Sequence, residues 1–562
     1  MAGLFQMLGT GARSLSAAQL AQATTGNNAA NQATPGYSRR RANLVEAPAL
    51  RLTGGIFGTG VRVDDVVRLR DGLVDAQWRA DSQELEYSKA QAHILEQIEA
   101  LFGPADEAAL ATTLTGLFAA FGDVATRPED LAPRTALLAR GQAFADAVRQ
   151  TQDRLVRLQA DAHLALADRV TEVNDVARRL ADVNSRRIAG LDDPALADEQ
   201  DRLVDRLAAL IGVRATTRAD GTVQVVVEGT GIQLVDGARA ATVALGGVPT
   251  SGVATLTVGG VALAQTRGEI GGLLAMRNST TDGIPAALAD VNALASGVIT
   301  AVNRVHASGA GRTLAQSVTG SVTVADPTAM LNAAGLTPTP VNGTLSIGVF
   351  DAAGTFVSTG NVAVDPATMS LNALAAAIDA LPDVTATVSA GRLVVSATNP
   401  AHRIAFGADT SDSLVALGVN GFFTGTDAAT IGVSSALVAD PYLVAAAQAD
   451  LVTGIVSPGD GRNARAMQAL GDAAFLNGNT ETPAEFLGSI GAAVGATARS
   501  AAGRVDTQTA LLAFAEQQRQ SASGVNLDEE LADMVRYQHA YEASARYIRT
   551  VDEMIATLLG MI

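Results

Sequence analysis

The side chains best able to do chemistry in this 562-residue chain are few and scattered. Its five histidines, His93, His163, His306, His402 and His539, fall in neither an HExxH nor an HxH spacing, so no two imidazoles share a face at the separation a metal ion needs. None is accompanied by a carboxylate pair of metal-ligand type. Cysteine is absent, which removes disulfides, zinc-thiolate centres and a thiolate nucleophile together. Gly58-Thr59-Gly60, Gly229-Thr230-Gly231 and Gly459-Asp460-Gly461 resemble fragments of phosphate loops, but none completes GxGxxG or a Walker-type loop, and each reads as a turn. No GxSxG elbow occurs. Acidic side chains are spread along helix faces, as on a solvated surface. Arg39-Arg40-Arg41, the densest basic run, is either a solvated loop or a partner for acidic groups, which an acidic chain can supply from itself. The residues therefore nominate no catalytic group, no cofactor-binding group and no metal ligand. The expectation is a protein that is not an enzyme and needs no cofactor.

Composition narrows the remaining classes. Hydrophobic residues make up 48% of the chain but aromatics only 4%, with 55 glycines and one tryptophan, Trp78, so the cores must be aliphatic and closely packed. Acidic residues outnumber basic ones 57 to 40, and a net charge of −17 opposes the phosphate backbone that dominates nucleic-acid affinity. The single lysine, Lys89, is read as compositional bias. The N-terminus lacks the basic region and continuous apolar core of a secretory signal. Ala240 to Thr266 is uncharged and long enough to span a bilayer, but five glycines, Pro249 and many threonines mark it as turn-punctuated strands.

With no reactive cluster to position, the informative elements are the periodic segments themselves. From Leu4 to about Asn31, apolar or small residues recur at Leu4, Leu8, Gly11, Leu15 and Ala18, a 4-and-3 spacing that draws one narrow seam along a helix. The C-terminus keeps that spacing through Leu527, Leu531, Met534, Gln538, Tyr541, Ala545, Ile548, Asp552, Ile555, Leu559 and Ile562, with Gln538 and Asp552 as polar interruptions. Asn526 can cap this helix, Glu529 stands where a capping box reaches back, and Asp528, Glu529 and Glu530 set negative charge against the positive end of the dipole. The pattern suits a core-facing amphipathic helix or one packed on other subunits, and a seam running to the last residue favours the second.

Between the ends, Asp71 to Leu101 and Arg134 to Ile188 read as long antiparallel helices, broken at Gly103-Pro104 and between Arg127-Pro128 and Pro133. Asp193-Pro194 opens a further helix to Leu210. Hairpins follow at Val213 to Val227, closed by Asp220-Gly221, and at Thr255 to Ala264, closed by Gly259-Gly260. Gly268 to Ala307 returns to helix, with Ile284, Leu288, Val291, Ala295, Val298, Val302 and Val305 on one stripe. A second β block, Gly320 to Ser435, holds strands at Thr344 to Phe350, Val384 to Val388 and Leu393 to Ala397 around a short helix, Leu371 to Leu381. Helix is expected again from about Leu437, through Arg462 to Leu470, Thr482 to Ala498 and Val505 to Ser521. The expected fold is multidomain α+β, a discontinuous helical rod built from N- and C-terminal segments with two β-rich insertions. Its expected domains are 1–70 with 524–562 (terminal helical part and connecting segment), 71–210 with 265–315 and 436–523 (helical rod), 211–264 (small β insertion) and 316–435 (outer β-rich domain).

One segment carries a family likeness. Asn27-Asn28-Ala29-Ala30-Asn31-Gln32-Ala33-Thr34-Pro35-Gly36-Tyr37-Ser38-Arg39 resembles the N-terminal signature of bacterial flagellar rod, hook and hook-associated proteins, in which an asparagine-rich helix end precedes Thr-Pro-Gly-Tyr. The family usually has isoleucine where Ala29 stands. Gly268-Glu269-Ile270-Gly271-Gly272-Leu273-Leu274-Ala275-Met276-Arg277, Val302-Asn303-Arg304-Val305-His306, Gly459-Asp460-Gly461-Arg462-Asn463-Ala464-Arg465 and Val525-Asn526-Leu527-Asp528-Glu529-Glu530-Leu531 are similar to the hook-associated members that stand at the junction of hook and filament. So is Tyr537-Gln538-His539-Ala540-Tyr541-Glu542-Ala543-Ser544-Ala545-Arg546. The run from Asn342 to Ala397 is more loosely similar to a small β motif of hook-associated proteins and flagellins.

The resemblance implies a structural axial protein, exported without a cleaved signal peptide through the flagellar type III apparatus. It would form a homo-oligomeric ring outside the cell by coaxial packing of terminal helices, with the β blocks projecting outward. Implied partners are the hook protein, a second junction protein and an export chaperone on the C-terminal helix, with no nucleic acid and no membrane span. The packing residues expected on this basis are Leu4, Leu8, Leu15, Asn28, Asn31, Pro35, Gly36, Tyr37, Leu527, Leu531, Met534, Gln538, Tyr541, Ala545, Ile548, Ile555 and Leu559. Alternatives are a hook, rod or cap subunit, or a junction subunit whose outer domain is an adhesin or an enzyme.

Overall fold

The 4-and-3 spacing at the two ends becomes a pair of helices, and the long helical patterns between them become the rest of the scaffold. The computed structural model describes residues 2–52, 55–102, 110–190, 193–264 and 266–561. In chain order, α1 (Ala2–Ala30) leads through β1 (Arg40–Glu46), β2 (Leu50–Leu52), β3 (Gly55–Phe57) and β4 (Val61–Arg68) into α2 (Gly72–Phe102), α3 (Leu110–Thr126), α4 (Leu131–Ile188) and α5 (Pro194–Leu210). A first β insertion holds β5 (Val213–Thr217), β6 (Val223–Val227), β7 (Gln233–Asp236), β8 (Arg239–Ala240), β9 (Val243–Val248), β10 (Ser251–Val258) and β11 (Val261–Leu263). After α6 (Gly268–Asn278) and α7 (Ile284–Ala307) comes the strand-rich block, with α8 (Leu371–Asp379), α9 (Ser413–Ala416) and α10 (Ser435–Ala439). The chain closes with α11 (Arg462–Ala469), α12 (Pro483–Ser523) and α13 (Leu527–Leu559). The fold is multidomain α+β, and the uncharged stretch from Ala240 forms strands.

Local chemistry accounts for several boundaries. Asp193 caps α5 by accepting the Ala195 N–H at 2.8 Å, with Pro194 at the first helical position where its missing N–H costs nothing. Asn526 caps α13 by accepting the Asp528 N–H at 3.0 Å. Three expectations need correction. Helix does not run on from Leu437: α10 stops at Ala439, a short 3-10 turn follows at Pro441–Leu443, and the chain is irregular until α11, because Pro441, Gly454 and Pro458 interrupt it. The two helices expected at Thr482 to Ala498 and Val505 to Ser521 are one helix, α12, since isolated glycines such as Gly503 weaken a helix without ending it. Conversely, α6 and α7 are separated at Ser279 to Gly283, where Asp282 and Ser279 pair locally. The break expected at Gly103-Pro104 and the last seam residue, Ile562, lie outside the described residues.

The chain forms two compact units, one from Met1–His93, Ala162–Ala275 and Ser500–Ile562, the other from Ile94–Asp161 and Met276–Arg499. In the first, β1 and β4 pair antiparallel from Arg40↔Arg68 to Glu46↔Val61 beside α1. The first β insertion is two small sheets, ordered β5-β6-β7-β8 and β11-β10-β9. Asparagines on α4 hold both by acting as surrogate strand edges. Asn174 accepts the Val243 N–H at 2.8 Å and donates to the Val243 carbonyl at 2.9 Å. Asn184, fully buried, accepts the Val223 N–H, donates to the carbonyls of Val223 and Gly237, and accepts from Gln200 at 2.7 Å.

The second unit packs α3, the first part of α4, and α7 through Phe121, Phe144, Leu117 and Val298, all fully buried. α7 is apolar and long enough by composition to cross a membrane, but Val291, Leu294 and Val302 on its inner side are in this core. The outer β-rich part closes around Leu345, Ile347, Leu374, Ile378, Val395 and Phe406. His306 is buried and neutral: burial, and then the nearby Arg134 charge, push its pKa down to about 4, against one opposing hydrogen bond to the Asn420 carbonyl. Its Nε2 accepts the Ala445 N–H at 3.0 Å.

Removing the Asn184 amide should be expensive, because buried backbone groups of Val223 and Gly237 would lose partners with no water to replace them. Asn184→Ala is expected to lower stability by about 2–3 kcal/mol and to raise amide exchange first in β5 and β6, read by hydrogen-exchange mass spectrometry.

Candidate subunit-packing site

The end of α1 is pinned to the start of α13 by one asparagine. Asn28 is 1% exposed, and all its polar capacity is used. Its Nδ2 donates to Glu530 Oε2 at 2.9 Å and to the Arg40 carbonyl at 2.8 Å, and its Oδ1 accepts the Tyr37 hydroxyl at 2.8 Å and the Arg40 N–H at 3.0 Å. The turn that brings Tyr37 and Arg40 back to Asn28 is made by Asn31, Thr34 and Gly36. Asn31 donates to the Asn27 carbonyl at 2.9 Å, and Thr34 donates to Asn31 Oδ1 at 3.1 Å. Gly36 has φ +78°, and a Cβ there would stand 2.5 Å from Arg202 Cδ, so only glycine serves.

From this pivot α1 and α13 run antiparallel. Going backward along α1, Gly26 lies against Met534 and Gly11 against Tyr547 and Ile548. A Cβ on Gly11 would come 2.7 Å from Ile548 Cγ1, so the bare backbone lets the two helices approach closely at that point. Ala17, Ala18 and Ala21 on α1 are buried.

Below the hairpin lies a continuous lattice of arginines and carboxylates. Arg39 pairs with Glu530 at 2.6 Å and Glu529 at 2.7 Å, while its N–H donates to the Ser523 carbonyl at 3.0 Å. Arg40 and Arg68 share Asp198 at 3.0 and 2.9 Å. Arg68 also meets Asp201, which receives Arg70 at 3.2 Å and Arg79 at 3.1 Å. Arg79 continues to Asp205 at 2.6 Å, and Arg519 joins Asp205 to Asp75 at 2.6 and 3.1 Å while lying 4.7 Å over the Trp78 ring. Burial alone would raise the Asp201 carboxyl, but Arg70, Arg68 and Arg79 outweigh it and hold its pKa below the ordinary value. Burial likewise works against charge on Arg70 and Arg79, and their carboxylate partners override it. Arrangements of this kind add less stability than specificity, yet breaking one member leaves a buried charge uncompensated. The chemistry on offer is cohesion: α1, β1, β4, α2, α5, α12 and α13 are tied into one body.

The expected packing residues divide. Met534, Tyr541, Ala545, Ile548 and Ile555 are half-buried, whereas Leu527, Leu531 and Leu559 are 40%, 48% and 59% exposed and Gln538 is exposed. Leu4, Leu8, Leu15, Asn31 and Tyr37 are half-buried, Asn28 is buried, and Pro35 and Gly36 are exposed. The stripe that faces inward is Glu530, Met534, Tyr537, Tyr541, Ser544, Ile548, Val551 and Ile555, with Glu530 and Val551 the two fully buried members. It has the same 4-and-3 spacing as the expected seam, offset so that alternate seam positions turn outward. Sequence reasoning took Glu530 only as a charge against the helix dipole and passed over Val551, and it singled out none of the lattice beyond Arg39, Arg40, Glu529 and Glu530. The signal for Glu530 and Val551 was the second 4-and-3 series in the same helix.

The chain thus pairs its own two ends into an antiparallel helical hairpin, ties the hairpin to long helices and carries β-rich parts between them, the build of a structural subunit with no reactive centre among the described residues. The model for "Flagellar hook-associated protein FlgK helical domain" matches residues 95–320, and that for "Flagellar basal body rod FlgEFG protein C-terminal" matches residues 516–561. Flagellar hook-associated protein 1 of Bacillus subtilis is 24% identical over 599 residues, covering 100% of this chain and 99% of the relative. The protein of the same name from Salmonella typhimurium is 26% identical over 580 residues, covering 97% and 98%. A solved structure, the flagellar hook junction protein FlgK from Burkholderia pseudomallei, shares the fold with a TM-score of 0.52 at 17% identity, over 79% of this chain and 100% of that one. Over its whole length the chain is therefore similar to flagellar hook-associated protein 1, a structural component of the flagellum between hook and filament.

Two outcomes follow from the geometry. Gly11→Val should splay α1 from α13, so that protease cuts both helices faster while the second unit stays resistant. Asp201 is held below its unfolded value, so its contribution is complete above about pH 4 and is lost as pH falls through the depressed folded value. Acid titration should release the α1–α13 hairpin in that range, followed by tyrosine fluorescence or amide exchange at Asn28 to Arg41. Arg70→Gln should shift the release to higher pH.

Proposed function

We propose that this chain, a structural subunit of the flagellum at the junction of hook and filament, joins its neighbours by coaxial packing of α1–α13 hairpins into a ring of identical copies. The observation that carries the reading is the divided seam of α13. One stripe is satisfied by α1 of the same chain, and the other leaves Leu527, Leu531 and Leu559 exposed together with Phe5 and Leu20 of α1. Apolar surface of this kind on a paired hairpin marks an interaction face. On this reading each subunit arrives with its hairpin already closed and its outer stripe free.

The ring would stand outside the cell, with the hook protein on one side and a second junction protein on the other. A cytoplasmic chaperone would cover the outer stripe of α13 before export, and the chain would leave without a cleaved signal peptide. The axial part is residues 1–70 with 524–562, and residues 316–435 form the outer domain. No catalytic role is assigned. Names of full-length relatives support the place in the flagellum, and the exposed stripe supports the mode of packing.

Leu527→Arg/Leu531→Arg leaves the inward stripe untouched, so the purified chain should keep its helix content and melting temperature while failing to enter flagella. Cells would then shed filaments or leave hooks bare, as seen by electron microscopy. Normal filaments on cells carrying this variant would refute the packing mode.

A further inference from the structure

Three Asn-Gly pairs occur in the chain: Asn342-Gly343, Asn420-Gly421 and Asn477-Gly478. Such a pair can react with itself, because glycine has no Cβ to keep its backbone nitrogen away from the asparagine side-chain carbon. Sequence ranks the three alike, and the fold does not. Asn420 is held by its amide, whose Nδ2 donates to the carbonyls of Ala307 at 3.0 Å and Gly309 at 3.3 Å. Asn342 is exposed, but Gly343 is fixed as the first residue of the strand Gly343–Phe350, opposite Val364, with the Thr410 backbone against it. Asn477-Gly478 instead lies in the loop closed by the bridge between Leu476 and Glu481. Asn477, Gly478 and Asn479 are all exposed and all left-handed, at φ +47°, +70° and +67°. That run costs the two asparagines conformational energy, which opening of the loop relieves. Neither the Gly478 N–H nor the Asn477 side chain has a hydrogen-bond partner among the described residues, and the space beside Gly478 is open.

We propose that Asn477 is a site of spontaneous deamidation, with the chain's own backbone as nucleophile and water as the second reactant. The Gly478 nitrogen attacks Asn477 Cγ. The N–Cγ bond forms, the Cγ–Nδ2 bond breaks, and Nδ2 leaves as ammonia with the proton given up by the Gly478 N–H. Water then opens the cyclic imide at one of its two carbonyls, leaving aspartate or isoaspartate. In sum, one water is consumed and one ammonia released, and nothing is oxidised or reduced. Each event adds a carboxylate that is ionised at neutral pH. The isoaspartate product also carries one more carbon in its backbone, next to Leu476. Leu476 is 4% exposed and packs on Gly297 of α7, and it exchanges N–H···O bonds with Glu481 at 3.2 and 3.3 Å. Lengthening the loop between those two residues loosens both the bridge and the Leu476 contact. The reaction is independent of how copies of the chain pack.

The full chain, folded or in urea, is held in mildly alkaline buffer and mapped by proteolysis and mass spectrometry, with electron-transfer fragmentation to tell isoaspartate from aspartate. In urea the three pairs should convert at similar rates. In the folded chain Asn477 should convert at least about tenfold faster than Asn342 or Asn420, since those must first give up native hydrogen bonds or strand pairing. Asn477→Gly keeps a residue that accepts the left-handed backbone and removes the amide, so the acidic species seen by ion exchange should disappear. In the isoaspartate fraction, amide exchange should rise from Leu476 to Glu481. Asn342 or Asn420 reacting as fast as Asn477 in the folded chain overturns the inference. So does an intact Asn477 in the folded chain, whether or not the chain in urea reacts, and so does an undiminished acidic species from Asn477→Gly. Unchanged exchange from Leu476 to Glu481 in the isoaspartate fraction refutes the link to α7.

Discussion

Two chain ends separated by some five hundred residues have to find one another, and the contact that decides how they do so is the Asn28 side chain against Glu530. A buried amide with both oxygen and nitrogen satisfied tolerates only one register of α1 on α13, since a shift of one residue would turn Asn28 or Glu530 away and leave polar groups without partners. Everything nearer the termini, including the Gly11 approach to Ile548, inherits that register. Everything further in, from Arg39 to Arg519, is arranged to keep the carboxylate of Glu530 and its neighbours neutralised. The pivot is therefore a specificity device at the point where a helical hairpin joins a helical body.

The arginine–carboxylate lattice shows why the composition is what it is. Arg39, Arg40, Arg68, Arg70, Arg79 and Arg519 meet an equal number of carboxylates, Glu529, Glu530, Asp198, Asp201, Asp75 and Asp205, so a strongly acidic chain has a locally neutral joint. Guanidinium groups suit this task better than ammonium groups, because a planar fork reaches two carboxylates at once and keeps its charge when desolvated. Excess negative charge is thereby displaced to surfaces away from the joint. In the second unit Arg134 is held by carbonyls instead: it donates to those of Pro128 and Val444, and burial, followed by the Arg312 charge, pushes its pKa down to about 10.

Much of the scaffold was readable from residues alone, for reasons that are local. Helix periodicity, the Asp193-Pro194 start, the Asn526 cap and the hairpins closed by Asp220-Gly221 and Gly259-Gly260 depend on neighbours within a few positions. The β1–β4 ladder was not anticipated, because alternation in β4 stops after Val61 to Asp64 and β2 and β3 intervene between the paired strands. Asn174 and Asn184 gave no sign of their strand-holding role, since each bonds to backbone 39 to 69 residues away.

Sequence by itself determined that this protein has helical ends with a seam, two β insertions, no reactive cluster and a turn at Thr34 to Tyr37 that only Pro and Gly could make. It also contained the marks of the flagellar axial family. Only the tertiary structure decided which face of α13 turns inward. The two 4-and-3 series in that helix share Met534, Tyr541, Ile548 and Ile555 and differ by one residue, a turn of about 100°, only at the alternate positions, and periodicity cannot choose between them. The choice is made by Asn28, Gly11 and the lattice beneath, all distant in sequence. Burial of the Glu530 stripe leaves Leu527, Leu531 and Leu559 outward, and that outcome is a property of the folded pair of ends, because neither helix specifies it without the other.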